Sequence, residues 1–338
     1  MRTRLPYRPR MDRRRFLLCS LAGAFAMPLA AGAQRAGRVY RLGYLGVNRA
    51  SDVQPHLKAL RLGLRELEWV EGENVQIDYR WAEGQSERLV QLADDLVRQQ
   101  VDVLIVPTSQ AVRAAQSVTR TIPIVMVAGN DPVSEGLLAT LGRPGGNITG
   151  LIFDPGSDLC GKQVELLVQA VPKLSRLAIL TNRDNPSHGK MTESVRTGAR
   201  PFGIQLEFFE AHTYDGAKKA LGQVATAKAG AILVVSDGIW FAQTEQIVEF
   251  AFKQRLPTIF PWKQVAAVGG LMTYGADLVT NWRRAASFVD RILKGARPGD
   301  LPVELPTTFE LVINLKTAKR LGLAIPPSLL GRADQVIE

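Results

Sequence analysis

The chain has 338 residues, of which 46% are hydrophobic and 22% are charged; this suffices for a buried core and more often forms two domains than one. Its formal net charge is +10, but residues 1–33 carry seven arginines and one aspartate, which leaves +4 (10 − 6) for the remainder. A balance this small gives no reason to expect a nucleic acid or an anionic membrane as a partner. Only one cysteine, Cys160, follows residue 33, so that part of the chain cannot form an internal disulfide.

The first 33 residues have the order of regions that an export signal requires. Three arginines at positions 13–15 come directly before an uncharged apolar run, residues 16–29, and Ala-Gly-Ala follows at 31–33. The run has 14 residues (29 − 16 + 1), fewer than the roughly 20 that a membrane-spanning helix needs. We predict a signal of the twin-arginine type, cleaved after Ala33, and a periplasmic location; the general secretory route is the alternative.

From residue 40 onward, short apolar runs alternate with amphipathic stretches. The runs are typical of strands in a parallel sheet, and the stretches have the apolar spacing of helices. We expect Ser86 to cap the second helix. In the first half the predicted strands are residues 40–46, 75–81, 101–106 and 122–127, and the predicted helices are residues 53–67, 86–98 and 110–119.

A turn-rich sequence, RPGGN at residues 143–147, divides the chain, and the pattern restarts after it. This sequence follows a predicted short helix and precedes a strand, the reverse of the order in a phosphate-binding loop, so we interpret it as a turn. The alternation in both halves predicts an α/β fold with two doubly wound parallel-sheet lobes. In the second half the predicted strands are residues 148–153, 176–180, 204–208, 231–235 and 258–260, and the predicted helices are residues 159–170, 186–202, 215–227, 243–254 and 281–293.

The chain lacks the sequence motifs on which most enzymes depend. Its three histidines, His56, His188 and His212, lie far apart and in no metal-binding spacing. It has no Gly-x-Ser-x-Gly elbow, no Walker A sequence and no G-x-G-x-x-G after the first strand. A hydrolase nucleophile, a nucleotide site and a dinucleotide cofactor are therefore disfavoured. We expect a protein that is not an enzyme and that uses neither a metal nor a cofactor.

Small polar side chains follow the predicted strands at their carboxyl ends, where open α/β sheets bind ligands. Hydroxyls and free N–H groups at a helix start can hold a carboxylate, and an aspartate can take an ammonium group. The same residue types also cap helices whatever the function, so both interpretations stay open. Tyr44 and Tyr274, beside glycines at strand ends, are candidates for stacking on a ligand. The polar candidates are Asn48, Thr108, Ser109, Asp131, Asn182, Ser236 and Asp237.

Five stretches of the chain, taken in order, are similar to one known family. They are YRLGYLG at residues 40–46, VEGENVQIDYRWAEGQSERL at 70–89, TIPIVMVAGNDPVSEGLLATLGRPGGNITG at 121–150, GGLMTYGAD at 269–277, and residues 283–338. On these residues the chain resembles the ABC transporter substrate-binding proteins of the tryptophan/tyrosine type. The resemblance spans nearly the whole chain after the predicted signal.

The resemblance implies the fold of a type I periplasmic binding protein, in which a three-crossover hinge joins two lobes. It implies that the interlobe cleft captures a small organic solute, with amino acids among the candidates. The solute would be delivered to the membrane permease of an ABC importer, and we expect the protein to be a monomer. The resemblance places residues 38–154 and 281–295 in the first lobe, residues 155–273 and 315–330 in the second, and crossings near 150–155, 273–280 and 308–314.

Other classes of protein share parts of this pattern. An exported sensor module would present the same closed lobes to a membrane receptor kinase instead of a permease. An exported hydrolase or isomerase is disfavoured by the missing motifs. A sugar-sensing transcriptional regulator of this fold would need a helix-turn-helix where this chain has the predicted signal.

We expect the protein recovered from the periplasm to begin at Gln34. A signal peptidase cuts after the small residues of an A-x-A site, so the intact mass should correspond to residues 34–338. Mass spectrometry of a periplasmic extract checks this. A full-length chain confined to the cytoplasm would contradict export and would leave the regulator class open.

Overall fold

The computed structural model describes residues 38–155 and 159–338. The predicted signal peptide and its cleavage site lie outside the described residues and stay a prediction. Over the part that is described, no helix combines the length and the apolar character needed to cross a membrane.

Five parallel strands form the first sheet. They are β1 (Tyr40–Gly46), β2 (Val75–Trp81), β3 (Val103–Val106), β4 (Ile124–Gly129) and β5 (Ile148–Ile152). Their order is β2-β1-β3-β4-β5, so the strand order reverses between β1 and β3. The central strands are apolar and buried, as expected where helices cover both faces of a sheet.

Seven strands form the second sheet. They are β6 (Arg176–Thr181), β7 (Gln205–Glu210), β8 (Ala231–Val234), β9 (Thr258–Phe260), β10 (Met272–Gly275), β11 (Glu310–Asn314) and β12 (Gln335–Ile337). Their order is β12-β11-β10-β9-β8-β6-β7, with β10 and β11 antiparallel and the other neighbours parallel. The order reverses between β6 and β8, so the crevice at the carboxyl ends of these two strands is the second expected binding site.

Helices cover both sheets, and each helix forms from a stretch of sequence that has an apolar face. In chain order they are α1 (Gln54–Glu66), α2 (Leu89–Arg98), α3 (Ser109–Val118), α4 (Leu159–Ala170), α5 (His188–Ala199), α6 (Tyr214–Thr226), α7 (Gly238–Ala242), α8 (Thr244–Lys253), α9 (Gln264–Ala267), α10 (Leu278–Leu293), α11 (Leu315–Leu321) and α12 (Pro327–Leu330). The parallel strands and their connecting helices make two α/β lobes, as predicted.

The chain passes between the two lobes three times: between β5 and α4, between β10 and α10, and between residue 304 and β11. Before the third passage, Glu304 forms two backbone hydrogen bonds with β5. The N–H of Glu304 donates to the carbonyl of Gly150, and the carbonyl of Glu304 accepts from the N–H of Ile152, both at 2.9 Å. The resemblance places crossings near residues 273–280 and 308–314, and Met272–Gly275 and Glu310–Asn314 form β10 and β11 of the second sheet. The changes of lobe therefore lie just outside these strands.

Helix α10 belongs to the first lobe although it follows a strand of the second sheet. It packs on α1, β4 and β5. Gly63 of α1 permits a close approach, because a Cβ atom there would lie 2.3 Å from the carbonyl oxygen of Arg283 and 3.0 Å from the Cβ of Ala286. This packing carries Leu278 and Trp282, in the first turns of α10, to the cleft between the lobes.

Most predicted strands and helices agree with the structure to within a few residues, but two local predictions were wrong and one short helix was missed. The segment before RPGGN forms turns instead of a short helix, because the side chain of Asp131 accepts from the N–H of Ser134 and fixes a turn. Ser86 lies inside a 3₁₀ turn and does not cap α2. The five-residue helix α7 was not predicted, since it is too short to show a helical period.

We predict that Gly63→Ala destabilises the protein and that Gly222→Ala does not. Both glycines lie inside helices, but a Cβ at Gly222 would have nothing within 4 Å. Overpacking against the backbone of α10 should lower the free energy of unfolding by about 1 kcal/mol or more in the first variant. Higher helix propensity should raise it by about 0.5–1 kcal/mol in the second. Urea unfolding midpoints measure both, and equal effects would contradict the proposed close packing of α1 on α10.

Candidate functional site

A cavity of about 60 Å³ lies between the lobes, where the carboxyl ends of strands from both sheets meet. The first sheet contributes residues that directly follow β1, β3, β4 and β5, and the second contributes residues that follow β6, β8 and β9. The starts of α1 and α10 complete the lining. This is the position at which doubly wound sheets bind ligands.

One side of the cavity is polar. We call the residues Ser109, Gln110, Asn130, Asn185 and Asp237 the polar wall, since they line the cavity or its edge and are linked by hydrogen bonds directly or through Ser187. The wall includes the start of α3, where the N–H groups of the first turn have no carbonyl of their own helix to bond. Such a helix start favours a negatively charged ligand group.

Asp237 is the centre of the polar wall. Its side chain is fully buried and accepts hydrogen bonds from Gln110 Nε2 at 3.0 Å, Asn185 Nδ2 at 2.9 Å, Asn182 Nδ2 at 3.3 Å and the N–H of Ile239 at 2.8 Å. Gln110 belongs to the first lobe and the other three donors to the second. Burial of a carboxylate is tolerated here because neutral donors surround it.

The imidazole nearest to Asp237 does not neutralise this carboxylate. His188 Nδ1 accepts from the backbone N–H of Asn182 at 2.8 Å, and Nε2 lies 3.1 Å from the carbonyl oxygen of Ser236, so the proton sits on Nε2 and the ring is neutral. Burial also lowers the pKa of His188, which favours the neutral ring. Within the described ranges, no lysine or arginine nitrogen forms an ion pair with Asp237. The polar wall therefore presents an uncompensated negative charge.

A second part of the cavity lining is a continuous set of rings. We call His56, Phe241, Trp262 and Trp282 the aromatic wall, since all four line the cavity and each ring contacts the next. Trp262 lies 5.1 Å from Phe241, Phe241 lies 5.3 Å from His56, and His56 lies 5.4 Å from Trp282, measured between ring centroids. These spacings suit edge-to-face and tilted aromatic packing. Phe153 adds a further ring to the lining.

Several buried polar atoms of the lining have no hydrogen-bond partner among the described residues. They are Gln110 Oε1, Asn130 Oδ1 and both ring nitrogens of His56. A buried polar atom left unpaired costs about 1–3 kcal/mol. These atoms therefore mark the places where a ligand can supply a missing donor or acceptor.

Hydrogen bonds between the lobes close one edge of the cleft. Ser187 of the second lobe donates to Glu135 and accepts from Asn130 Nδ2 at 3.1 Å, and Lys190 forms an ion pair with Asp131 at 2.7 Å. Burial raises the pKa of the Glu135 carboxyl. The contacts hold the start of α5 against the loop that follows β4.

A second set of contacts closes the opposite edge. The hydroxyl of Tyr214, in the second lobe, donates to Asp52 Oδ2 at 2.9 Å, and the guanidinium of Arg49 lies over the tyrosine ring, 4.9 Å from its centroid. Gly84 makes room for this ring, since a Cβ there would lie 2.9 Å from it. The lobes are therefore joined at two separate places along the cleft.

The structure brings together five of the nine residues that the sequence singled out. Asn182 lies directly behind the cavity, bonded to Asp237, and Asp131 lies at the cleft edge in its ion pair. The five that line the cavity are Asn48, Thr108, Ser109, Ser236 and Asp237.

The two tyrosine candidates do not line the cavity. Tyr44 is fully buried in the first lobe, where its ring packs on Tyr79, Trp81 and Trp282. Its position in β1 turns its side chain into the core and not to the strand end. Tyr274 lies on β10 against Phe309, and its carbonyl accepts from Gln163.

Sequence reasoning missed most of the aromatic wall and part of the polar wall. Trp262 lies two residues after the end of β9, so the rule that located the polar candidates could also have found it. Gln110 directly follows the candidates Thr108 and Ser109 and lies on the first turn of α3. His56 and Trp282 come from helix starts far apart in the sequence, and no sequence signal joins them.

Metal binding has no structural support in the described part of the chain. Among residues 38–155 and 159–338, no group of three or more His, Cys, Asp and Glu side chains is arranged to hold a metal ion. The cavity is lined by amides, hydroxyls, one carboxylate and rings.

Comparisons with known proteins agree with this architecture. A family model described as "ABC transporter substrate binding protein" matches residues 53–337. The tyrosine-binding protein of Clostridioides difficile (strain R20291) is 24% identical over 260 residues, which are 77% of this chain and 74% of that protein.

Two solved structures share the fold. A conserved domain protein from Vibrio cholerae O1 biovar eltor str. N16961 has 27% identity and a TM-score of 0.81, and an ABC domain in complex with L-Trp from Streptococcus pneumonia has 26% identity and a TM-score of 0.80. Each comparison covers 88% of this chain and 100% of the other. The predicted fold of two parallel-sheet lobes is confirmed.

We predict that His56 makes the protein less stable in acid. Burial lowers the pKa of His56 from 6.5 to about 4, and attraction to Asp277 opposes this only partly. Between these two values the unfolded chain binds a proton that the folded chain does not, so stability falls as the pH falls through this window. The effect is about 2 kcal/mol between pH 7 and pH 4.5.

Urea unfolding of wild type and His56→Phe at both pH values tests this. Both proteins should lose stability in acid through their other groups, but the variant should lose about 2 kcal/mol less. Equal losses in the two proteins would show that His56 titrates alike in the folded and unfolded chain.

Proposed function

The chain belongs to the family of ABC transporter substrate binding proteins, and we propose that the cavity between its lobes binds an aromatic amino acid. Members of this family bind solutes outside the cytoplasm and are not enzymes. The observation that carries the proposal is that one cavity is lined both by a polar wall centred on Asp237 and by an aromatic wall. Each wall matches one part of such a ligand.

The polar wall is suited to the charged groups of an amino acid. Asp237 supplies a buried negative charge with neutral donors around it, and Gln110 Oε1 and Asn130 Oδ1 are acceptors without a partner in the described chain. Together they suit an α-ammonium group, which has three N–H donors and no acceptor. The first N–H groups of α3, at Ser109 and Gln110, suit the α-carboxylate. Asn48, Thr108 and Ser236 are further polar contacts in this proposal.

The aromatic wall is suited to the side chain of the ligand. Rings in offset or edge-to-face contact contribute about 0.5–1.5 kcal/mol each beyond the burial of their area. Four neighbouring rings that line one cavity offer such contacts to the ring of a ligand. The tyrosine-binding protein and the L-Trp complex among the relatives support the same ligand class here.

We further propose that the protein serves an importer. In this proposal the signal is removed after Ala33, the mature chain works in the periplasm as a monomer, and the lobes close by hinge motion at the three passages. The closed lobes then dock on a membrane permease. The interlobe contacts at both cleft edges support closure as the state that carries the solute.

Isothermal titration calorimetry with L-tryptophan and L-tyrosine tests the ligand class. We expect the calorimetric titration to show one binding site. Thermal melting should show a rise in melting temperature that depends on the ligand excess, with about 2.7 kcal/mol of stabilisation at a hundredfold excess over Kd. Tryptamine and indole-3-propionate, which each lack one charged group, are the control ligands and should bind at least tenfold more weakly. Absence of saturable binding to any aromatic amino acid would refute the proposal.

Two glutamines on α3 provide a matched pair of variants. Gln110→Ala removes a donor to Asp237 and an acceptor for the ligand, so it should weaken binding about five- to 150-fold. Gln116→Ala removes a side chain farther along the same helix, bonded to the carbonyl of Leu137 and outside the cavity. This control should bind the amino acid as wild type does, and equal effects would place the ligand elsewhere.

A further inference from the structure

His56 is the one imidazole of the aromatic wall, whose other members are a phenylalanine and two tryptophans. Its side chain is 4% exposed, and its ring contacts Phe241 on one side and Trp282 on the other. Neither ring nitrogen has a hydrogen-bond partner among the described residues. A position that served packing alone would be filled as well by a phenylalanine or leucine, without two polar atoms to satisfy.

We propose that His56 is a specificity-determining residue that selects a ligand whose aromatic ring carries its own hydrogen-bonding group. This inference rests on the proposed function, since it concerns the ring of the aromatic amino acid bound in the same cavity. A phenol O–H or an indole N–H at the aromatic wall meets an imidazole nitrogen, while the plain ring of phenylalanine leaves both nitrogens unpaired.

The protonation state of His56 fits this role. Burial lowers the pKa of His56 to about 4, so at neutral pH the imidazole has one N–H donor and one bare nitrogen acceptor. An indole N–H can donate to the acceptor, and a phenol can donate to the acceptor or accept from the donor. A site that holds such a group rejects the analogue that lacks it, because the buried partner is then left unsatisfied.

The other unpaired atoms of the lining do not compete for this group. Gln110 Oε1 and Asn130 Oδ1 belong to the polar wall, which takes the backbone of the ligand. His56 stands among the rings, between Phe241 and Trp282. The ring end of the ligand is therefore the part that reaches His56.

Calorimetric titration of wild type with L-tyrosine, L-tryptophan and L-phenylalanine at pH 7.5 gives the first result. We expect the better of the first two to bind at least about fivefold more tightly than L-phenylalanine. In His56→Phe this ratio should fall towards one, and in His56→Gln, which keeps a donor and an acceptor, part of the preference should return. Circular dichroism and thermal melting confirm that each variant is folded.

The outcomes separate this inference from the proposed function. If wild type binds none of the three amino acids, the aromatic amino acid proposal fails. If wild type binds L-phenylalanine as tightly as the others, or if His56→Phe keeps the wild-type ratio, the proposed function stands and the role of His56 is overturned. A purely structural role would change the affinities for all three ligands by a similar factor and leave their ratio unchanged.

Discussion

The buried carboxylate of Asp237 is the interaction on which the arrangement of the cleft depends. An anion removed from water is stable in a protein only where donors surround it. Asn182, Asn185 and the N–H of Ile239 provide donors from the second lobe, and Gln110 provides one from the first. Because Gln110 reaches Asp237 only when the lobes lie together, the carboxylate links the closed arrangement to the polar wall. Because every donor is neutral, its charge remains available to a cationic ligand group.

Much of the fold and the location of the cleft could be predicted from the sequence, because parallel strands end at a common edge. Thr108 and Asp237 each follow a buried strand, and the structure places both in the cavity lining. Each of them also caps a helix, through Ala111 N and Ile239 N respectively. Capping and lining are alternative interpretations of the sequence, but the same backbone position supports both, since a helix that starts at a strand end starts at the cleft.

The aromatic wall could not be predicted in the same way. A helical period tells which face of a helix is buried, but it does not tell whether that face meets the core or the cleft. His56 on α1 and Trp282 on α10 are 226 positions apart (282 − 56) and meet only because Gly63 lets these helices pack closely. Tyr44, directly after Gly43 near the end of β1, is a cleft candidate from its place in the chain alone. The side-chain alternation of β1 directs it into the core.

The unpaired atoms of the lining connect ligand chemistry to lobe closure. In an open arrangement water can satisfy Gln110 Oε1, Asn130 Oδ1 and the nitrogens of His56, whereas closure removes these atoms from water and leaves them without a partner in the described chain. Each such loss costs about 1–3 kcal/mol, which opposes the gain from the contacts at the two cleft edges. A solute that offers complementary groups to both walls removes this cost in the closed form only. In the proposed function, its differential affinity for the closed form is what shifts the lobes together. A solute that matches only one wall would produce only part of that shift.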